Sequence, residues 1–131
     1  MLELQSAVPG ARNAALRLAP LVPEDRVVTL AYSKGQSRVV GGRFVQYGDD
    51  GRLAGSALLE MYDGDDRLVV DRGASGAPVF DCEGRIAAVV STVITQMIPT
   101  LSGQMRISTA WGAPNVLSVP IQALKELSEA R

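Results

Sequence analysis

Residues 78–93 read PVFDCEGRIAAVVSTV. Pro78 to Asp81 and Arg85 to Val93 are rich in β-branched and apolar residues, which suit a pleated, half-buried surface. Between them, Cys82-Glu83-Gly84 is a short, glycine-containing connection of the kind that reverses a chain between antiparallel strands. The segment predicts a β-hairpin.

The same pattern continues on both sides. Asp25 to Tyr32 (DRVVTLAY) reads as a strand, and Arg38 to Tyr47 (RVVGGRFVQY) as another with a bulge or bend at Gly41-Gly42. Gly48-Asp-Asp-Gly51 reads as a turn. Ala57 to Tyr62 and Arg67 to Val70 read as strands around a hairpin at Asp63-Gly64-Asp65. Met105 to Trp111 and Val116 to Val119 complete the set. Strands at this spacing, with little helix between them, predict an all-β sandwich or closed barrel.

The last residues change character. Pro120 fits the first turn of a helix and Ser118 could cap it. Ile121, Leu124 and Leu127 form an apolar stripe, with Lys125, Glu126 and Glu129 opposite. A short amphipathic helix over 120–130, packed on the barrel, is expected. Residues 1–20 read as an N-terminal arm or the remnant of a connection, and within them Ala11 to Leu18 fits helix, strand or arm.

Composition limits the chemistry. The 131 residues suit one domain. Thirteen basic and 14 acidic residues leave a net charge of −1, without the cationic excess of a broadly nucleic-acid-binding surface. The single cysteine, Cys82, excludes an internal disulfide and multi-cysteine metal sites, and it is expected as a buried strand-end thiol. Asp63, Asp65 and Asp66 lack full calcium-ligand spacing and read as a solvated hairpin tip. No metal or cofactor is expected. No apolar run is long enough for a membrane helix, and the opening MLELQ does not read as a signal peptide. There is no histidine. Any Ser-His-Asp hydrolase would need its base from another chain or segment.

The stretch Gly73-Ala-Ser75-Gly76-Ala-Pro78-Val79 carries the chemical signal. Read alone, Ser75 is a turn serine. Glycines on both sides let the backbone bend tightly, and such a bend can aim the amides of Gly73 and Ser75 into one concavity, as a developing oxyanion requires.

This stretch resembles the G-x-S-G-G-P-V signature around the nucleophile of trypsin-like serine peptidases, the HtrA-type and small bacterial ones above all. Val79-Phe80-Asp81, the turn at Glu83-Gly84, and Arg85 onward are similar to the strand–turn–strand that follows it. Val27 to Gly35 resembles the opening strand of that family's second barrel, and Asn115 to Ile121 its last strand and closing helix. The resemblance covers roughly residues 16–127. Ala77 departs from the signature's second glycine, and Ala31 stands where the family often has glycine.

The resemblance implies an antiparallel, Greek-key-like six-stranded barrel over 21–131. It also implies a serine endopeptidase half in which Ser75 is the nucleophile and Gly73 and Ser75 supply oxyanion amides. The catalytic His and Asp would lie on a missing N-terminal barrel, leaving this chain inactive alone. Ala14, Leu16 and Leu18 faintly resemble the strand that carries the Asp, whose position would fall on Arg12. Ser91, Thr92 and Val93 resemble the strand that pairs with substrate, although a plain strand accounts for them equally well. If they line the pocket, Val93 would favour small or aliphatic side chains, over an apolar floor of Val69 and Val70. Asp71 and Arg72 would be a solvated loop pair or pocket rim, and Trp111 packs in core or rim. The implied partners are a peptide or protein substrate, the missing barrel, and a second copy meeting an exposed inter-barrel face. The implied location is periplasmic or secreted. The other reading is a pseudoprotease or peptide-binding barrel without catalysis.

Overall fold

The computed structural model describes residues 9–10, 12–33, 35–49, 51–62, 74–94, 96–99, 105–108 and 114–130. In chain order these form β1 (Arg26–Ser33), β2 (Gln36–Tyr47), a 3-10 turn (Gly51–Leu53), β3 (Ala57–Tyr62) and β4 (Pro78–Asp81). Then come β5 (Ile86–Val93), β6 (Gln96–Pro99), β7 (Met105–Ser108), β8 (Val116–Pro120) and α1 (Ile121–Glu129). Six strands close a barrel in the order β1-β2-β3-β8-β5-β4, every pair antiparallel. β4 returns beside β1, so the first four strands lie in the order 4-1-2-3 that defines a Greek key. The sequence expectation of an all-β, six-stranded antiparallel barrel with one C-terminal helix holds.

Strand alternation fills the interior. Val27, Thr29 and Ala31 of β1, Val40 and Phe44 of β2, and Ala57, Leu59 and Met61 of β3 are all buried. Small and β-branched residues alternate with the bulkier Phe44, Leu59 and Met61, which is what a narrow barrel can hold. The tilted rings of Phe44 and Tyr47 sit 4.7 Å apart, and the Tyr47 hydroxyl accepts from the Leu21 amide at 2.8 Å. That bond fixes the chain where it enters the barrel.

Polar groups set the ends. Asn115 is buried, and its amide side chain copies a strand partner: Oδ1 accepts from Met61 N at 2.9 Å and Nδ2 donates to Met61 O at 2.8 Å. Asp81 organises the β4–β5 hairpin, accepting from the amides of Glu83 and Arg85 and from the Arg85 guanidinium. Burial works against the Asp81 charge, but these donors outweigh it and hold the carboxyl below its ordinary value. Residues 12–20 run as an extended arm. Leu16 bridges Ile86 in parallel, and Arg17 pairs with Asp25 at 2.7 Å.

Several local expectations are corrected. The β2 irregularity lies between Phe44 and Gln46, not at Gly41-Gly42. Gly42 instead permits close approach, since a Cβ there would lie 2.0 Å from the Glu60 carbonyl. Ser118 does not cap α1, because its side chain is inside the barrel with no hydrogen-bond partner, and Pro120 takes the cap position. Only Ile121 of the helix stripe is buried, leaving Leu124 and Leu127 exposed. Cys82 is exposed, because the hairpin turns outward directly after Asp81. β6 has no counterpart in the sequence reading. The expected strand 67–70, the hairpin tip 63–65, and Trp111 lie outside the described residues. Among those described, no helix is long and apolar enough to cross a membrane.

Candidate functional site

The site begins with a turn. The Ala77 amide donates to Ala74 O at 3.0 Å, closing a four-residue turn with Ser75 and Gly76 at its centre. Gly76 has φ +89° and Ser75 does not have positive φ, the signature of a type II turn. An L-residue disfavours that conformation, so the glycine is what allows the bend. Ala74 is buried as the anchor, and Ser75 is exposed at the tip.

The turn is tied to β5. Gly76 N donates to Val90 O at 2.8 Å, and Val90 N donates to Ala77 O at 2.9 Å. β5 then slips against β8 between Val90 and Thr92, where Ser91 is the extra residue. The bulge turns the Ser91 carbonyl toward the Ser75 hydroxyl, which donates to it at 2.8 Å. Two segments singled out separately in the sequence, Ser75 and Ser91–Val93, are therefore neighbours.

The bulge also frees an edge. Ile94 N donates to Asn115 O, so Ile94 faces β8. Strand alternation then gives Thr92 the same side and turns the backbone groups of Ser91 and Val93 away from β8. β4 begins only at Pro78, opposite Val89. Among the described residues, β5 beyond Val90 thus has a strand partner on one side only. Ser91 and Thr92 are exposed there. The Ser75 amide has no acceptor among the described residues. Gly73, Val69, Val70, Asp71 and Arg72 lie outside the described residues, as does the Val93 side chain.

Among the described residues, what the arrangement offers chemically is a hydroxyl at a glycine turn, an amide beside it without an acceptor, and a strand edge open on one side. Among the described residues no group of His, Cys, Asp and Glu could hold a metal ion.

A second cluster was not singled out in the sequence. Arg43 on β2 lies opposite Glu60 on β3, and its Nε donates to Glu60 Oε2 at 2.8 Å. The other arm of the guanidinium meets Glu24. The Tyr62 hydroxyl donates to Glu60 Oε1 at 2.9 Å. The hydrogen bonds that Arg43 donates to Glu24 and Glu60 raise its pKa, and burial, helped by the Glu60 carboxylate, pushes Tyr62 up to about 12. Glu24 holds φ +73°, uncommon for a non-glycine residue. With Arg26 and Gly41 these residues line a cleft of about 840 Å3. The charges are widely separated in the chain, so only the strand register brings them together.

No protein-family model, curated protein or solved structure matches the chain.

Proposed function

We propose that this chain is the nucleophile-bearing barrel of a trypsin-like serine endopeptidase, with Ser75 attacking the scissile carbonyl. The observation that carries the reading is the exposed Ser75, set on a Gly76 turn and 2.8 Å from the Ser91 carbonyl at an open strand edge. A peptide lying along Ser91–Val93 would add a strand there, bringing a carbonyl over the turn. The Ser75 amide, joined by that of Gly73, would then stabilise the tetrahedral oxyanion. The chain has no histidine, so in a triad of this kind the proton of Ser75 would pass to a histidine on another chain or segment, which returns it to the leaving amine. Water attacks the acyl-enzyme in turn and regenerates Ser75. Alone, these residues are expected to be inert.

A second reading, a peptide-binding barrel without catalysis, is favoured by one observation: the Ser75 proton is given to a neutral carbonyl, which cannot remove it. Both readings share the peptide edge. Titrating an extended peptide with small aliphatic side chains into the 15N-labelled chain tests that edge. The amides of Ser75, Ser91, Thr92 and Val93 should shift together. Shifts that leave these residues unmoved reject both readings.

A further inference from the structure

The N-terminal arm lies where β5 loses a strand partner. β8 pairs with β5 only as far as Pro120, opposite Ala88, and there the chain turns into α1. On the other side, Asp81 N donates to Arg85 O, so the backbone of Ile86 faces away from β4. The arm meets it instead. Ile86 N donates to Ala15 O at 2.8 Å, and Arg17 N donates to Ile86 O at 2.9 Å. From the first turn of α1, the Gln122 side chain donates to Leu18 O at 3.0 Å.

One side chain seats the arm. From residue 12 to residue 20 only Arg17 is not exposed, and Leu16 and Leu18 are 51% and 50% exposed. The Arg17 guanidinium enters between two carboxylates, 2.7 Å from Asp25 Oδ2 and 3.7 Å from Asp81 Oδ2. Both carboxylates have donors besides the arm. Val22 N holds Asp25, while the amides of Glu83 and Arg85 and the Arg85 guanidinium hold Asp81. The slot therefore keeps its form without its occupant. Polar contacts with little apolar burial are the kind that open locally, well below the cost of global unfolding. Leu21 is buried and its amide is bound to the Tyr47 hydroxyl, so such opening stops there.

We infer that the β5 edge at Ile86, with Asp25 and Asp81 beside it, is a docking site for an extended peptide carrying an arginine among small and aliphatic residues. The arm is its resident, displaceable occupant. The peptide adds to Ile86 as a short parallel strand, and the arginine fork reaching both carboxylates gives the specificity. Lysine, a single point charge, cannot span them in the same way. The Ser75 turn takes no part, so this site stands or falls independently of the proposed chemistry.

The probe is the peptide of residues 12–20, RNAALRLAP, added to the full 15N-labelled chain. In Arg17→Pro the resident arm lacks both the guanidinium and the amide that bonds Ile86 O, and in Arg17→Ala it lacks the guanidinium alone. Either variant, with the circular dichroism of the barrel intact, serves as the vacated chain. Tethering holds the resident arm at an effective concentration on the order of millimolar, so a free copy should bind the vacated chain with a sub-millimolar Kd. The Ile86 amide resonance should return to its wild-type position. The wild-type chain should take the peptide at least about tenfold more weakly, because its own arm competes. Peptides with Arg17→Ala or Arg17→Lys should also lose about tenfold or more, the worth of a charge-assisted hydrogen bond. An Ile86 resonance unmoved in both variants, equal binding to the wild-type chain, or an Arg17→Ala peptide that binds as well overturns the proposal.

Discussion

The Ser75 hydroxyl donates its proton to the backbone carbonyl of Ser91 at 2.8 Å, locking a type II turn to a bulge in the neighbouring strand. Both halves of this contact come from backbone irregularity. Gly76 supplies the positive φ that lifts Ser75 outward, and the extra residue in β5 aims the carbonyl. A carbonyl orients the hydroxyl without activating it. Among the described residues, no side-chain base is hydrogen-bonded to the Ser75 hydroxyl.

Asn115 supports this region from the opposite side of β5. Its side chain satisfies both Met61 backbone groups in a buried place. Asn115→Ala leaves the two groups unpaired and should cost about 2–6 kcal/mol, since each buried orphan costs about 1–3 kcal/mol. Urea unfolding measures this directly. A loss under about 0.5 kcal/mol, typical of an uncoupled surface change, would mean that the amide clamp contributes little.

The two adjacent glycines of β2 should behave oppositely. A Cβ on Gly42 meets the Glu60 carbonyl, whereas one on Gly41 meets nothing within 4 Å. Gly42→Ala should destabilise by about 1–3 kcal/mol through forced backbone shifts. Gly41→Ala should be neutral or stabilising by up to about 1 kcal/mol, because it restricts the unfolded chain. Equal melting temperatures for the two variants would contradict the register of β2 against β3.

Asp81 predicts a pH dependence. Its carboxyl is held below its ordinary value in the folded chain, so the unfolded state binds the proton more readily. The stabilisation is complete above the unfolded value of about 3.9 and is lost as pH falls through the lower folded value. Asp81→Asn should lower stability at pH 7 and remove part of the acid sensitivity below about pH 4. Parallel curves of stability against pH for wild type and Asp81→Asn, from pH 2 to 7, would refute this assignment.

How far the sequence reaches depends on the range of the interaction. The β3 and β4 strands were legible to the residue, and β1, β5 and β8 to within one residue at an end, because local alternation and turn residues define them. The Ser75 turn was legible too, since glycine content is a local signal. Ser118 and Leu127 were misread because their surroundings are tertiary. The barrel wall encloses Ser118, and the short contact of α1 with the barrel covers only Ile121. β6 escaped because its four residues carry no periodicity a sequence reading can use. The Glu24–Arg43–Glu60 cluster depends on strand register, which no single segment encodes. The Ser75–Ser91 contact needed a bulge, again a property of the pairing.

The most direct test of the Ser75 assignment is labelling with a fluorophosphonate, with and without added imidazole to stand in for the missing base. The chain alone should stay unlabelled. Imidazole should produce one modified residue, mapped by mass spectrometry to Ser75 and absent in Ser75→Ala. Labelling scattered over other exposed serines, or none at Ser75 under either condition, would contradict the account.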